Sequence, residues 1–248
     1  MIDELRQRLQ ALQRPPGLDD DPGVVPLGIA AVDRVLGGGL ARGALHEIAA
    51  ADESHLPTAA GFAAAVAGRA TPSSRQCFVW IAEDMALAES GALHGPGLDP
   101  FGIAPERLVT VAAAHRRDLL WAMEEALRCR AVAAVIGEVR GGTLDGVAVR
   151  RLSLAAAESG ALALLLRTAP ADDASTAASR WVIGAAPSAP NPYGLGASCF
   201  AAQLKRNRRG PTSSWIIEWS EGDGRFILAT HAQPVAQPVL HRPHRKSA

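Results

Sequence analysis

The stretch that most constrains this chain runs from Pro26 to Thr58, where a glycine-rich turn leads into a short apolar strand and then into a loop of unusual chemistry. It reads PLGIAAVDRVLGGGLARGALHEIAAADESHLPT. A turn at Gly28, an apolar half-turn ending at Asp33, the run Leu36 to Leu40 and the pair Arg42-Gly43 lead into a strand over Ala44 to Ile48. A strand introduced in this way is expected to deliver a phosphate-binding loop. Such a loop needs glycines whose N–H groups close around phosphate, a Lys reaching the terminal phosphates, and a Ser or Thr hydroxyl on the metal. This chain offers Ala50, Ala51, Asp52, Glu53, Ser54, His55, Leu56, Pro57 and Thr58 instead. Ala50 and His55 stand where glycines belong, Leu56 where the Lys belongs and Pro57 where the hydroxyl belongs, and the carboxylates of Asp52 and Glu53 carry the wrong sign for polyphosphate. Many loops of this composition are plain solvated turns. The preceding segment is what gives the missing chemistry its meaning.

The 248 residues suffice for one α/β domain with a small appendage, and the core needs no disulfide or metal. Lys plus Arg equals Asp plus Glu at 25 each, so no global field drives the chain onto DNA or a membrane, and any nucleic-acid contact must be local. Cys77, Cys129 and Cys199 lack metal-ligand spacing and read as reduced core thiols of a cytoplasmic protein. No run approaches 18 apolar residues, so neither export nor membrane insertion is expected. Residues 1–14 place Ile2, Leu5, Leu9 and Leu12 on one stripe of a short helix, to be docked on its own core or on a partner. Pro15-Pro16-Gly17 stops that helix, and residues 15–26 read as a linker to a core over 27–230.

Within the core, strands and helices alternate. An Ala-rich helix over Thr58 to Arg69 precedes a buried strand, Cys77 to Ala82, which ends at Glu83 and Asp84. Those acids would either position a water or metal at the carboxyl end of the sheet or cap the next helix, Met85 to His94. Arg107 to Ala112 reads as another buried strand and Arg117 to Arg130 as an amphipathic helix, with Trp121 either at the core edge or facing a partner. The strand Ala131 to Ile136 should end in a metal-holding Asp if the chain were an ATPase; Gly137 stands there, with Glu138 one residue later and on the opposite strand face. A helix over Leu144 to Gly160 and a strand over Ala161 to Arg167 complete a mostly parallel sheet flanked by helices on both faces. The loop Ala169 to Ser179 carries Asp172 and Asp173 and no cation. After a strand over Arg180 to Ala185 and the crossing PSAPNPYGLG, residues Cys199 to Thr230 alternate as an antiparallel hairpin. Its Lys205, Arg206, Arg208 and Arg209, with Trp215 and Trp219, form either a nucleic-acid or partner contact or a charged face protecting an edge strand. Residues 231–248 read as a disordered basic tail containing prolines.

The lead-in PLGIAAVDRVLGGGLARGALHEI, the segment CFVWIAEDMALAE and the hairpin FAAQLKRNRRG…SWIIEW resemble the core of RecA-like recombinases, with Asp84 nearest the position of their catalytic glutamate. Together with the replaced loop, LWAMEEALR and SAPNPYGLG, they resemble the ImuA family. That resemblance implies an SOS-induced accessory of mutagenic translesion synthesis, a mutasome component. The implied partner is an ImuB-like Y-family polymerase homologue, with an error-prone C-family polymerase reached indirectly and RecA as a further partner. With the loop and the Gly137 position both altered, we expect neither ATP hydrolysis nor a cofactor or metal. Two alternatives stay open: a divergent RecA-type ATPase using Glu83 or Asp84 as base, and a damage-induced division inhibitor of the SulA kind.

Overall fold

The computed structural model describes residues 23–70, 77–171, 175–192 and 194–230. The expected helix with Ile2, Leu5, Leu9 and Leu12, most of the linker, Asp172 and Asp173, and the tail from residue 231 lie outside the described residues. In chain order the elements are β1 (Val24–Val25), α1 (Ala30–Val35), β2 (Leu40–Ala41), β3 (Ala44–Ala50), a 3-10 turn (Glu53–His55) and α2 (Leu56–Gly68). Then follow β4 (Cys77–Glu83), α3 (Asp84–Ser90), α4 (Gly95–Leu98), β5 (Leu108–Ala113), α5 (Arg116–Arg128), β6 (Val132–Val139) and α6 (Gly146–Ser159). The chain closes with β7 (Leu162–Arg167), β8 (Ser179–Ala185), β9 (Cys199–Asn207), β10 (Ser213–Ser220) and β11 (Arg225–Leu228).

The lead-in is held by backbone geometry. β1 pairs antiparallel with β2, which places the strand residues Val24 and Val25 inside the span read as linker. Asp33 accepts hydrogen bonds from the N–H groups of Leu27 at 2.7 Å and Gly28 at 3.0 Å, which closes the turn ahead of α1. Gly39 has φ +145°, and a Cβ there would lie 2.4 Å from the carbonyl oxygen of Val25. Only glycine fits that crossing.

The main sheet runs β11-β10-β9-β8-β3-β7-β6-β4-β5. From β8 to β5 the neighbours are parallel, and β9 to β11 continue the sheet antiparallel. β7 is buried along its whole length, as a central strand with helices on both faces must be. β5 departs from the expectation of a buried strand. It lies at the sheet edge, and Val109 is 51 % exposed. On one face α2 packs its alanines and Phe62 against Ile136, Leu164, Trp181 and Phe200. Small side chains bring this helix close: a Cβ on Gly68 would lie 1.9 Å from the carbonyl oxygen of Phe101. On the other face α5 and α6 bury Leu119, Met123, Leu127, Leu152 and Ala156 against Val79, Val135 and Leu165. The hairpin strands join the first face through Phe62, Phe200 and Phe226, whose ring centroids lie 5.4 to 5.9 Å apart. Among the cysteines only Cys199 is buried; Cys77 is half-buried and Cys129 exposed just past the end of α5, which corrects the reading of three core thiols.

Candidate functional site

The loop after β3 is closed on itself. Asp52 is the N-cap of the 3-10 turn: its Oδ1 accepts from Ser54 N–H at 2.9 Å and from Ser54 Oγ–H at 2.5 Å, and lies 3.0 Å from His55 Nδ1. The Ser54 hydroxyl, followed by His55, holds the Asp52 carboxyl below its usual pKa. Ala51 N–H donates to Ile183 O, His55 N–H to Asp52 O and Leu56 N–H to Glu53 O. These amides, which in a phosphate-binding loop would face an anion, are already used by the chain. The Asp52 carboxylate caps the 3-10 turn that leads into α2, while the N-cap of α2 itself is His55, which makes no side-chain cap bond. Leu56 and Pro57 begin α2, and Thr58 follows on its first turn.

Glu83, Asp84 and Glu138 stand at the carboxyl ends of β4 and β6. Glu83 caps nothing with its side chain; it accepts from Arg116 Nε at 3.1 Å and from Arg140 N–H at 3.3 Å. Asp84 is exposed in the first turn of α3. Strand alternation sends Ala134, Ile136 and Glu138 to the α2 face and Val135, Gly137 and Val139 to the α5 face. The carboxylate on the loop's side of the sheet is therefore Glu138, which corrects the reading of Gly137 as the vacated position. Gly137 has a packing role: a Cβ there would lie 2.7 Å from Met123 Sδ of α5. Glu138 is engaged, accepting from Trp80 Nε1–H at 3.3 Å and pairing with Arg140 at 3.0 Å. Arg140 also reaches Glu89 at 3.3 Å and Ser90 Oγ at 2.5 Å, and Arg116 donates to the carbonyl of Arg140. Two guanidinium groups thus occupy the carboxylates that would otherwise be available to a metal or water. Sequence reasoning missed both arginines, although Arg140 two residues beyond Glu138 shares its strand face and was open to inspection. Beside this network lies a cleft of about 420 Å³, lined mainly by apolar groups including Leu56, Pro57, Trp80, Ala82 and Val111, with Glu138 at its wall.

The hairpin does not gather its predicted contact residues on one surface. Trp219 is 2 % exposed, packs on Phe101 and Phe226, and donates its indole N–H to Pro100 O at 2.8 Å, so it is core and offers no stacking face. Trp215 is half-buried against Trp181. Lys205 is exposed, while Arg206 donates to Ser175 O at 2.7 Å. Arg208 is exposed at the strand end, and Arg209 leans back to Gly37 O at 3.3 Å. Trp121, by contrast, is 61 % exposed on α5. Among the described residues no helix is long and apolar enough to cross a membrane.

No family model matches the chain. Two curated relatives do: Protein ImuA of Caulobacter vibrioides strain NA1000 / CB15N and Protein ImuA of strain ATCC 19089 / CIP 103742 / CB 15. Each is 32% identical over 200 residues, spanning 75% of this chain and 78% of the relative. The chain belongs to the ImuA family. Among solved structures, the crystal structure of the RadB recombinase superposes with a TM-score of 0.54 at 14% identity, over 80% of this chain and 97% of that one. That likeness establishes the RecA-like fold, with its mostly parallel sheet and the terminal antiparallel strands. For this member of the family, the geometry combines a RecA-like frame with a loop in which Asp52 caps its own turn.

Proposed function

We propose that this protein is a non-catalytic, RecA-like accessory of SOS-induced translesion DNA synthesis, acting through protein contacts with an ImuB-like polymerase homologue, with RecA or with both. The observation that carries the non-catalytic part is the loop: Ser54 N–H is bonded to the Asp52 carboxylate, the N–H groups of Ala51, His55 and Leu56 are bonded to backbone carbonyls, and no cationic side chain takes the Lys position. A triphosphate would have to break those bonds and approach Asp52 and Glu53 in a cleft poor in compensating charge. The partner assignment rests on membership of the ImuA family, and the exposed Trp121 supplies a side chain of the type that anchors protein interfaces.

Titration with ATP and magnesium, by calorimetry beside a thermal-shift assay, tests the reading. No heat and no change in Tm are expected. Micromolar binding would favour the second reading, a divergent ATPase, for which the one specific observation is Glu138 on the loop's face. In that case Arg140 would have to release Glu138 for the metal, and the Arg140→Ala variant should bind nucleotide more tightly.

A further inference from the structure

α5 and α6 cover one face of the sheet, and their own outward side carries apolar groups that stand open among the described residues. On α5 one exposed stripe at four-residue spacing reads Arg117, Trp121, Glu125. On α6, Val147 and Leu154 lie about two turns apart on one side of the helix. Trp121, Val147 and Leu154 are each more than half exposed. Between the two helices runs a groove of about 730 Å³, lined by Leu120 and Ala148 as well as by Trp121. A cluster of large apolar side chains left in water marks a surface made to be covered.

The charges around the groove say what covers it. Several are settled within the chain: Arg116 pairs with Glu83 at 3.1 Å, the buried Glu124 with Arg151 at 2.7 Å and with Arg128, and Asp145 caps α6 through Val147 N–H at 3.0 Å. Arg117 is almost fully exposed and lies 3.7 Å from its neighbour Asp118, while Glu125 meets Arg128 on the helix surface, and exposed pairs of this kind contribute little. Arg117 and Glu125 each stand four residues from Trp121, about 6 Å along the axis in opposite directions. A second α5 crossing antiparallel at Trp121 would set Arg117 of each copy against Glu125 of the other, so that both pairs form at once. On the groove side Asp118 would meet the level of Glu124 of the other copy, where Arg151 is the exposed group. A parallel crossing would set Arg117 against Arg117 and Glu125 against Glu125. Residue i meeting j while j meets i is what a two-fold interface requires. We propose that the face formed by α5 and α6 is a two-fold interface between two copies of this chain, in which Trp121 of each copy lies in the groove of the other and Arg117 pairs with Glu125 across it. The inference goes beyond the reading given under Proposed function, and its failure would leave that reading standing.

The test uses the full chain, followed by sedimentation equilibrium over a range of protein concentrations. The wild type should form a dimer. Trp121→Ala, at an exposed position, should keep the far-UV circular dichroism and raise the dimer Kd about a hundredfold, since each dimer loses two anchors. Arg117→Glu and Glu125→Arg each set like charges against one another at two places, and each should raise Kd about tenfold. An equimolar mixture of these two variants should recover wild-type affinity, because every opposed pair is again of opposite sign. A contact elsewhere on the molecule would not be rescued by mixing. A wild type that stays monomeric at the highest concentration, a dimer indifferent to Trp121→Ala, or charge variants that do not weaken it or are not rescued by mixing would each overturn the proposal. So would a dimer seen only in Leu5→Glu/Leu9→Glu, since the apolar stripe of residues 1–14 would then be what covers this face within its own chain.

Discussion

At the amino end of the parallel strands, polar groups are satisfied by hydrogen bonds that mostly involve backbone atoms and by tight backbone approach: Asp33 closes the turn at Leu27 and Gly28, Gly39 crosses under Val25, and His46 links three strands. At the carboxyl end, charged side chains satisfy one another: Glu83 with Arg116, Glu138 with Arg140. The first arrangement admits few substitutions because it is made of backbone distances. The second is made of exchangeable side-chain pairs. A RecA-like frame can thus be fixed by backbone distances at one end of its sheet while the other end is open to change through its side-chain pairs.

The sharpest way to probe that division is to put back a carboxylate where the sequence suggests one is missing. Gly137→Asp would press a charged group into the α5 interface against Met123 and Leu119. It should cost about 3 kcal/mol or more, read by urea denaturation, without giving ATP hydrolysis. A stable Gly137→Asp protein would show that the two faces of β6 are less distinct than the packing indicates.

The amino end should break with acid. His46 is buried; its Nε2–H donates to Ala41 O at 2.9 Å and its Nδ1 accepts from Ser179 Oγ at 2.7 Å, while Trp181 Nε1–H donates to that same oxygen at 2.9 Å. This chain fits a neutral imidazole, and burial lowers its pKa from 6.5 to about 4. A folded-state pKa below the unfolded one contributes stability that is present above pH 6.5 and is lost as pH falls towards 4, in total about 3 kcal/mol. Unfolding free energies at pH 7, 5.5 and 4.5 should decline accordingly. His46→Gln should flatten that decline, and an unchanged slope would remove His46 as its source.

The smallest effect belongs to the loop. Asp52→Ala removes the cap from Ser54 and should lower Tm only slightly, because the group is exposed. Asp52→Asn separates two causes, since the amide oxygen still caps but the charge is gone. If ATP then binds, charge is what excludes phosphate; if it does not, the occupied amides are sufficient.

The alternation of strands and helices was legible because it rests on local pattern: apolar runs for strands buried on both faces and a glycine-rich turn before β3. Position within the sheet was not. LVTVAA reads like a buried strand, yet β5 lies at the edge, because strand order depends on crossovers that local pattern does not encode. Trp219 and Trp121 show the same limit in opposite directions, one core and the other exposed, with comparable surroundings in sequence. The carboxylates at the strand ends were found, but not their arginine partners, since Glu83 and Arg116 meet only once β4 and α5 are packed.

The hairpin's attachment bears on how the chain must fold. Phe226 N–H donates to Leu27 O at 3.1 Å, and Arg69 reaches Gly224 O across 155 residues of sequence. The lead-in before β3 is therefore completed by β11, the last strand among the described residues. Contacts of such long sequence separation are costly to form early, so closure of the amino end should be a late and slow event, preceded by collapse of the alternating strands and helices between. The core should therefore stay unclasped until the hairpin of β10 and β11 has been made.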